Sequence, residues 1–147
     1  MFKHILVPTD GSKLSAKALK LAVKLAKAMG AKVTGFYAAP AFSSTYYGDG
    51  YILRAPSAEE QAEFAQEQAR KYLSAIEVEA EVEKVPCEVF HVVSDSPYEA
   101  IIDAAKKKKC DLIIMASHGR RGLSALVLGS ETQKVLIHSK IPVLVCR

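Results

Sequence analysis

"KHILVPTDGSKLSAKALKLAVKLAKAMG", residues 3 to 30, decides the fold class of this chain. Its first six residues form a short apolar run with β-branched character, closed by Pro8, which is the pattern of a buried strand. Thr9-Asp10-Gly11-Ser12 turns the chain, and Ser12 stands where an N-cap must accept from the free N–H groups of a new helix. From Leu14 to Met29 the apolar residues Leu14, Ala18, Leu21, Ala22, Leu25, Ala28 and Met29 recur at helical spacing. Lys13, Lys17, Lys20, Lys24 and Lys27 fall on another face, which reads as solvated, and Gly30 stops the helix. A buried strand feeding an amphipathic helix is the first half of a parallel crossover unit.

The alternation continues outward from this unit. Residues 31 to 40 read as a second strand ending in Pro40. Residues 41 to 57 are aromatic, Ser/Gly-rich and aperiodic; with Phe42, Tyr46, Tyr47 and Tyr51 they read as a mobile surface loop in preference to a lid. Residues 58 to 76 predict a second helix, with Ala62, Ala65, Ala69, Tyr72, Leu73 and Ile76 on one face. "VEKVPCEVFHVV", residues 82 to 93, predicts a third strand, at an edge or irregular because Pro86 lies within it. Ser96 and Pro97 sit where a third helix would begin, and "YEAIIDAAKKKK" continues it into a lysine run, 106 to 109, suited to a solvated helix end. "CDLIIMA", residues 110 to 116, is a fourth buried strand, a last helix runs from about Ser130 to Ser139, and "IPVLVC", residues 141 to 146, is the final strand. Buried strands alternating with amphipathic helices predict one α/β domain over residues 1–147, a parallel sheet covered on both faces with right-handed crossovers.

Composition bounds the function. At 147 residues and 50% hydrophobic content the chain can build a core, which excludes a disordered segment. No apolar run approaches the roughly 20 residues of a membrane span, and Pro8 and Asp10 interrupt the opening residues, unlike a signal peptide. Cys87, Cys110 and Cys146 are odd in number, widely spaced and free of a CxxC pair, which points to buried thiols in a reducing cytoplasm. A net charge of +4 is too mild to call for nucleic acid.

Chemistry gathers in "MASHGRRGLSALVLGSETQKV", residues 115 to 135. Gly119, Gly122 and Gly129 let backbone approach a ligand, Ser117, Ser130 and Thr132 offer hydroxyls, and Gly129-Ser130 opens a helix whose N–H groups favour an anion. It is neither a P-loop, having no Lys after the last glycine, nor the GxGxxG fingerprint of a first βα turn. Read from the residues alone, a phosphate site and a structural turn stand level. Ligands of open α/β sheets lie beyond the carboxyl ends of the strands where strand order reverses. If the glycine loop and Pro8-Thr9-Asp10-Gly11 touch one ligand, the first and fourth strands are neighbours.

"ILVPTDGS", "DLIIMASHGRRG" and "LGSETQKVLIHSKIPVLVCR" together resemble the universal stress protein family over nearly the whole chain. The resemblance implies a flavodoxin-like, Rossmann-like three-layer sandwich with a five-stranded parallel sheet in the order 3-2-1-4-5. Nucleotide-binding members carry Gly, two residues, Gly, nine residues, Gly, then Ser or Thr. Gly119, the nine residues 120 to 128 and Gly129-Ser130 match, while Ala116 stands at the first glycine. The alanine adds a methyl beside the ligand and, if left-handed, about 1–2 kcal/mol of strain; an extended conformation removes that strain.

The resemblance also assigns roles. Pro8, Thr9 and Asp10 line the adenosine end, with the Asp10 carboxylate accepting from ribose hydroxyls, and Ala38 lies against adenine. Met115 and Ala116 stand near the ribose, and Gly119, Gly129, Ser130 and Glu131 give backbone N–H groups to the phosphates. Arg120 or Arg121 reaches the terminal phosphate. ATP or AMP is then the ligand, with Mg²⁺ held through phosphates and water, and a homodimer forms through residues 141–146. His118 reads as a loop residue with local hydrogen bonds rather than a base, and Asp10 alone reads as a helix-start carboxylate. Three classes follow: an ATP-binding cytoplasmic stress module with little or no turnover, a dimeric scaffold without nucleotide, and a weak ATPase. The absence of a nucleophile–base pair in the sequence disfavours the last, and the expected site has neither catalytic nor metal-ligating residues.

Overall fold

The computed structural model describes residues 1–41, 56–120 and 127–147. Within them run β1 (His4–Pro8), α1 (Lys13–Met29), β2 (Lys32–Ala39), α2 (Ala58–Glu83), β3 (Cys87–Val93), α3 (Pro97–Lys107), β4 (Leu112–Ala116), α4 (Ser130–His138) and β5 (Val143–Cys146). The strands form one parallel sheet in the order β3-β2-β1-β4-β5. β1 is central and all five of its residues are buried, because helices cover both its faces. Ile5 and Val7 join α1 and α2 residues such as Ala22, Val23, Leu73 and Ile76 in one core, while Leu6, Phe36, Ile113 and Met115 join Ile101, Ala105 and Val135 of α3 and α4 in the other. The result is the expected three-layer α/β sandwich. Its strand order reverses between β1 and β4.

Local chemistry sets the first helix as expected. Ser12 Oγ accepts from the Ser15 N–H at 3.1 Å, and Gly30 adopts φ 65° at the C-terminal end. All five lysines are exposed, but the buried face is rotated from the expected one. Ser15, Ala18, Leu19, Ala22, Val23 and Ala26 point into the core, and Leu21 is 40% exposed. The many leucines and alanines allow several apolar stripes, and the sheet selects one.

The second helix is longer than expected, ending at Glu83 rather than near Ile76. Residues 76 to 83, "IEVEAEVE", alternate apolar and acidic like a strand. Glutamate and alanine are good helix formers, and Ile76 and Ala80, four apart, face the core while Val78 and Val82 stay exposed. Pro86 therefore precedes β3 and does not interrupt it; its carbonyl accepts the Val33 N–H at 2.9 Å. β3 is at an edge because of its place in the sheet order. The lysine run after α3 is not purely solvated: Lys108 pairs with Glu88 at 3.1 Å and covers the Phe90 ring. Cys110 and Cys146 are buried and Cys87 is half-buried; burial pushes the Cys87 and Cys110 thiols up to about 11. Among the described residues no helix is long and apolar enough to cross a membrane. The expectations for Phe42, Tyr46, Tyr47, Tyr51, Arg121 and Gly122 fall outside the described residues.

Candidate functional site

Parallel pairing of β1 with β4 sets the carboxyl ends of both strands side by side. The Thr9 N–H donates to the Phe36 carbonyl at 2.9 Å, which ties the turn after β1 to β2. Asp10 then reaches two ways. Its Oδ1 accepts the Ser12 N–H at 2.9 Å, and its Oδ2 accepts the Arg120 N–H at 3.0 Å, across 110 residues of sequence. Asp10 is thus more than a helix-start carboxylate: it joins the β1 turn to the loop after β4. Glycine at 119 permits that closeness, because a Cβ there would overlap Asp10 Oδ2 and turn the carboxylate aside.

The opposite wall is the start of α4. Gly129 takes the N-cap position and has no side chain with which to cap the helix, and among the described residues no other side chain caps the first turn, which begins at the exposed Ser130. The Gly129 N–H donates to the Ser117 carbonyl at 2.7 Å, and the buried Thr132 hydroxyl donates to the Ala116 carbonyl at 2.9 Å. These two bonds lock the start of α4 to the end of β4. A Cβ on Gly129 would stand 3.0 Å from His118 Cα, so the protein's own packing favours glycine there. The Glu131 carboxylate turns away toward α3, accepting the Tyr98 N–H at 2.9 Å and the Lys134 ammonium at 3.2 Å. It supplies the cap that Ser96 does not.

Ala116 is the last residue of β4, buried and paired with Cys146. Among the described residues only Lys84 and Lys109 are left-handed without being glycine, so the alanine at the first motif position carries no left-handed strain. Ala38 and Met115 belong to the α3/α4 side of the sheet, the side on which α4 begins. Pro8 is buried at the end of β1.

Arg120 has a different surrounding from the one expected. Its Nε donates to the Asp10 carbonyl at 2.9 Å, its Nη2 donates to the Tyr72 hydroxyl at 2.6 Å, and its guanidinium lies 5.0 Å from the Tyr72 ring centre. Tyr72 was placed by periodicity on the buried face of α2; nothing local to it announced a partner in the loop. His118 Nδ1 lies 3.2 Å from Ser117 Oγ, a local bond of the kind expected. Beside this corner, toward α1, opens a cleft of about 380 Å³ lined by Ser12, Lys13, Leu14, Lys17, His118, Gly119 and Arg120. The lysines on its wall were read only as a solvent face. Among the described residues no three His, Cys, Asp or Glu side chains are grouped to hold a metal ion.

The arrangement joins an uncapped helix start, close-packed glycine backbone and a carboxylate held at the switch point, a combination able to receive an anion at one end and hydroxyl donors at the other. A family model described as "Universal stress protein family" matches residues 1–147. The chain is 35% identical over 150 residues to universal stress protein YxiE of Bacillus subtilis, covering all of both chains. The solved structure of MJ0577, a protein of Methanocaldococcus jannaschii, has a TM-score of 0.76 at 28% identity and is matched over 99% of this chain and 96% of that one. A universal stress protein solved in complex with cAMP has a TM-score of 0.73 at 23% identity, over 99% of this chain and 97% of that one.

Proposed function

Because the chain belongs to the universal stress protein family, we propose that it is an ATP-binding stress-response module, one cytoplasmic domain acting as a homodimer with little or no intrinsic turnover. The observation that carries this reading is the uncapped start of α4 at Gly129-Ser130, held to the end of β4 beside the Asp10–Arg120 contact. Free N–H groups and the macrodipole of α4 favour the phosphates. The Ser130 hydroxyl and the backbone N–H groups of Gly119, Ser130 and Glu131 are the groups assigned to them; the Gly129 N–H is taken by the Ser117 carbonyl, so Gly129 is assigned only as close-packed backbone beside the phosphates.

Asp10 is assigned to the ribose. An ionised carboxylate has about four acceptor sites, and two backbone N–H groups use one on each oxygen. Capacity for a diol remains. Pro8, Thr9, Ala38, Met115 and Ala116 are assigned to the adenosine end; Ala38 and Met115 share the α3/α4 side of the sheet, and Ala116 packs on the α1/α2 side. Arg120 is assigned beside the terminal phosphate, and because its backbone N–H and Nε are held by Asp10 and its Nη2 by Tyr72, its side chain reaches a phosphate only by releasing one of those contacts. The bound cAMP of the related structure supports adenine as the base, while its 23% identity speaks for the fold.

The scaffold reading draws on one feature, the Glu131 carboxylate in the first turn of α4, which places a negative charge within a turn of the assigned phosphates although it is directed toward Tyr98 and Lys134. Calorimetry with ATP·Mg²⁺, ADP and AMP decides between the two. Saturable binding with ATP at least as tight as AMP is expected. Absence of heat and of thermal shift at millimolar nucleotide overturns the proposal in favour of the scaffold. A turnover of about 1 per second, ordinary for an enzyme, would support the ATPase instead.

A further inference from the structure

We infer that Tyr72, on α2 and outside the proposed ligand contacts, is a positioning residue for the adenosine end of the site; this rests on the nucleotide-binding reading above. Three contacts converge on its ring. Arg120 lies over the face and donates to the hydroxyl at 2.6 Å. Gly11, at φ 77°, brings the β1 turn so close that a Cβ there would enter the ring. Tyr37 of β2 packs against it nearly edge-on, with ring centres 5.2 Å apart. A ring packed against a core-facing strand is an anchored object, and Arg120 is fastened to it by a charged hydrogen bond and a cation–π contact.

What Arg120 does with that anchor is the point. Its Nε donates to the Asp10 carbonyl at 2.9 Å while its own N–H donates to the Asp10 carboxylate at 3.0 Å. One residue thus grips Asp10 at both backbone and side chain. The anchored guanidinium holds the Gly119-Arg120 backbone against Asp10 and sets the direction of the carboxylate before any ligand arrives. Such preorganisation improves affinity by removing the ordering cost of a loop. Tyr72 reaches the ligand only through Arg120.

Acting through another residue makes a specific prediction for a mutant cycle. Tyr72→Phe keeps the ring and removes only the acceptor. It should speed hydrogen exchange of the amide at position 120 and weaken adenosine, each by about three- to ten-fold, as for loss of one hydrogen bond. Amides of β3 should be unchanged, which a general loss of stability would not allow. In an Arg120→Ala background, Tyr72→Phe should change neither quantity further. Unchanged exchange at position 120 in Tyr72→Phe, or equal and additive losses in the double variant, overturns the inference. If wild-type protein binds no adenosine, the nucleotide reading fails and the positioning of a ligand falls with it; exchange at position 120 then distinguishes that failure from loss of the Tyr72–Arg120 anchor itself.

Discussion

The Cα of His118 lies 3.0 Å from where a Cβ on Gly129 would stand. A side chain at the motif glycine therefore crowds the empty protein, and His118 must give by a few tenths of an ångström to admit one. Gly129→Ala forces the loop after β4 away from the start of α4 and strains the 2.7 Å bond between the Gly129 N–H and the Ser117 carbonyl. We expect a destabilisation of about 1–3 kcal/mol, typical of overpacking, measured by urea unfolding without ligand. Unchanged stability would show that the loop yields freely and that the glycine answers to a ligand alone.

Asp10 and Ser130 divide the proposed ligand between them. Asp10→Ala should weaken adenosine and ATP alike, since its assigned partner is the ribose. Ser130→Ala removes one hydroxyl and leaves the helix-start N–H groups, so ATP should weaken by about 0.5–1.5 kcal/mol, or up to about 3 if the phosphate charge is felt, with adenosine nearly untouched. Calorimetry on both variants, with circular dichroism to confirm folding, checks this. Equal losses of both ligands in both variants would mean the two ends of the nucleotide are misplaced.

Ala116 is extended strand, so glycine there relieves no backbone strain. Ala116→Gly should lower stability by about 0.5–1 kcal/mol through the entropy of glycine in a strand. If the methyl crowds the ligand, the same variant binds ATP more tightly. A thermal melt and an ATP titration separate the two effects; unchanged or weaker ATP binding would show that the methyl is accommodated.

The far edge of the sheet motivates the homodimer. Among the described residues β5 pairs only with β4, Val143, Leu144 and Val145 are half-exposed, and Ile137 of α4 is 74% exposed. An apolar edge strand invites pairing with a second copy. Val143 packs against the α3/α4 core, so Val145→Lys is the cleaner variant and should sediment as a folded monomer. Wild-type protein that is monomeric at tens of micromolar would refute the dimer.

At the amino end of the central strand β1, His4 is buried, with Nε2 2.7 Å from Thr34 Oγ1. Burial, with Lys32 nearby, holds its imidazole below the ordinary value. The unfolded chain thus takes up the proton first as pH falls, so the His4 contribution is fully present above about pH 6.5, the unfolded value, and is lost below it toward the folded pKa. His4→Gln should flatten the fall of unfolding free energy between pH 7 and 5, read by urea titrations at several pH values. An unaltered slope would assign that fall to other groups.

Much of this molecule is legible locally. Ser12 caps α1 and Gly30 ends it because cap chemistry acts within a few residues. The apolar runs of β1 and β4 read as buried strands because a strand covered on both faces has no polar side to show. The loop glycines and Asp10 were visible as residues of interest. The strand order was read from the family resemblance and from the requirement that β1 and β4 meet; hydrophobic period alone cannot rank strands.

Periodicity reached its limit where a segment satisfies two patterns. "IEVEAEVE" alternates like a strand and became the end of α2, and the leucine-rich α1 offered several stripes from which the sheet took one. The sequence by itself therefore determined the kinds of element, their succession and the glycine-rich character of the loop, since these follow from backbone conformational preference and short-range burial. Only the tertiary structure decided which atoms meet: Arg120 on Asp10 and Tyr72, Glu131 at the start of α3, His118 against Gly129. Those contacts join segments far apart along the chain or fix a close approach within a turn. Their geometry depends on packing whole helices on a twisted sheet, which no local run of side chains encodes.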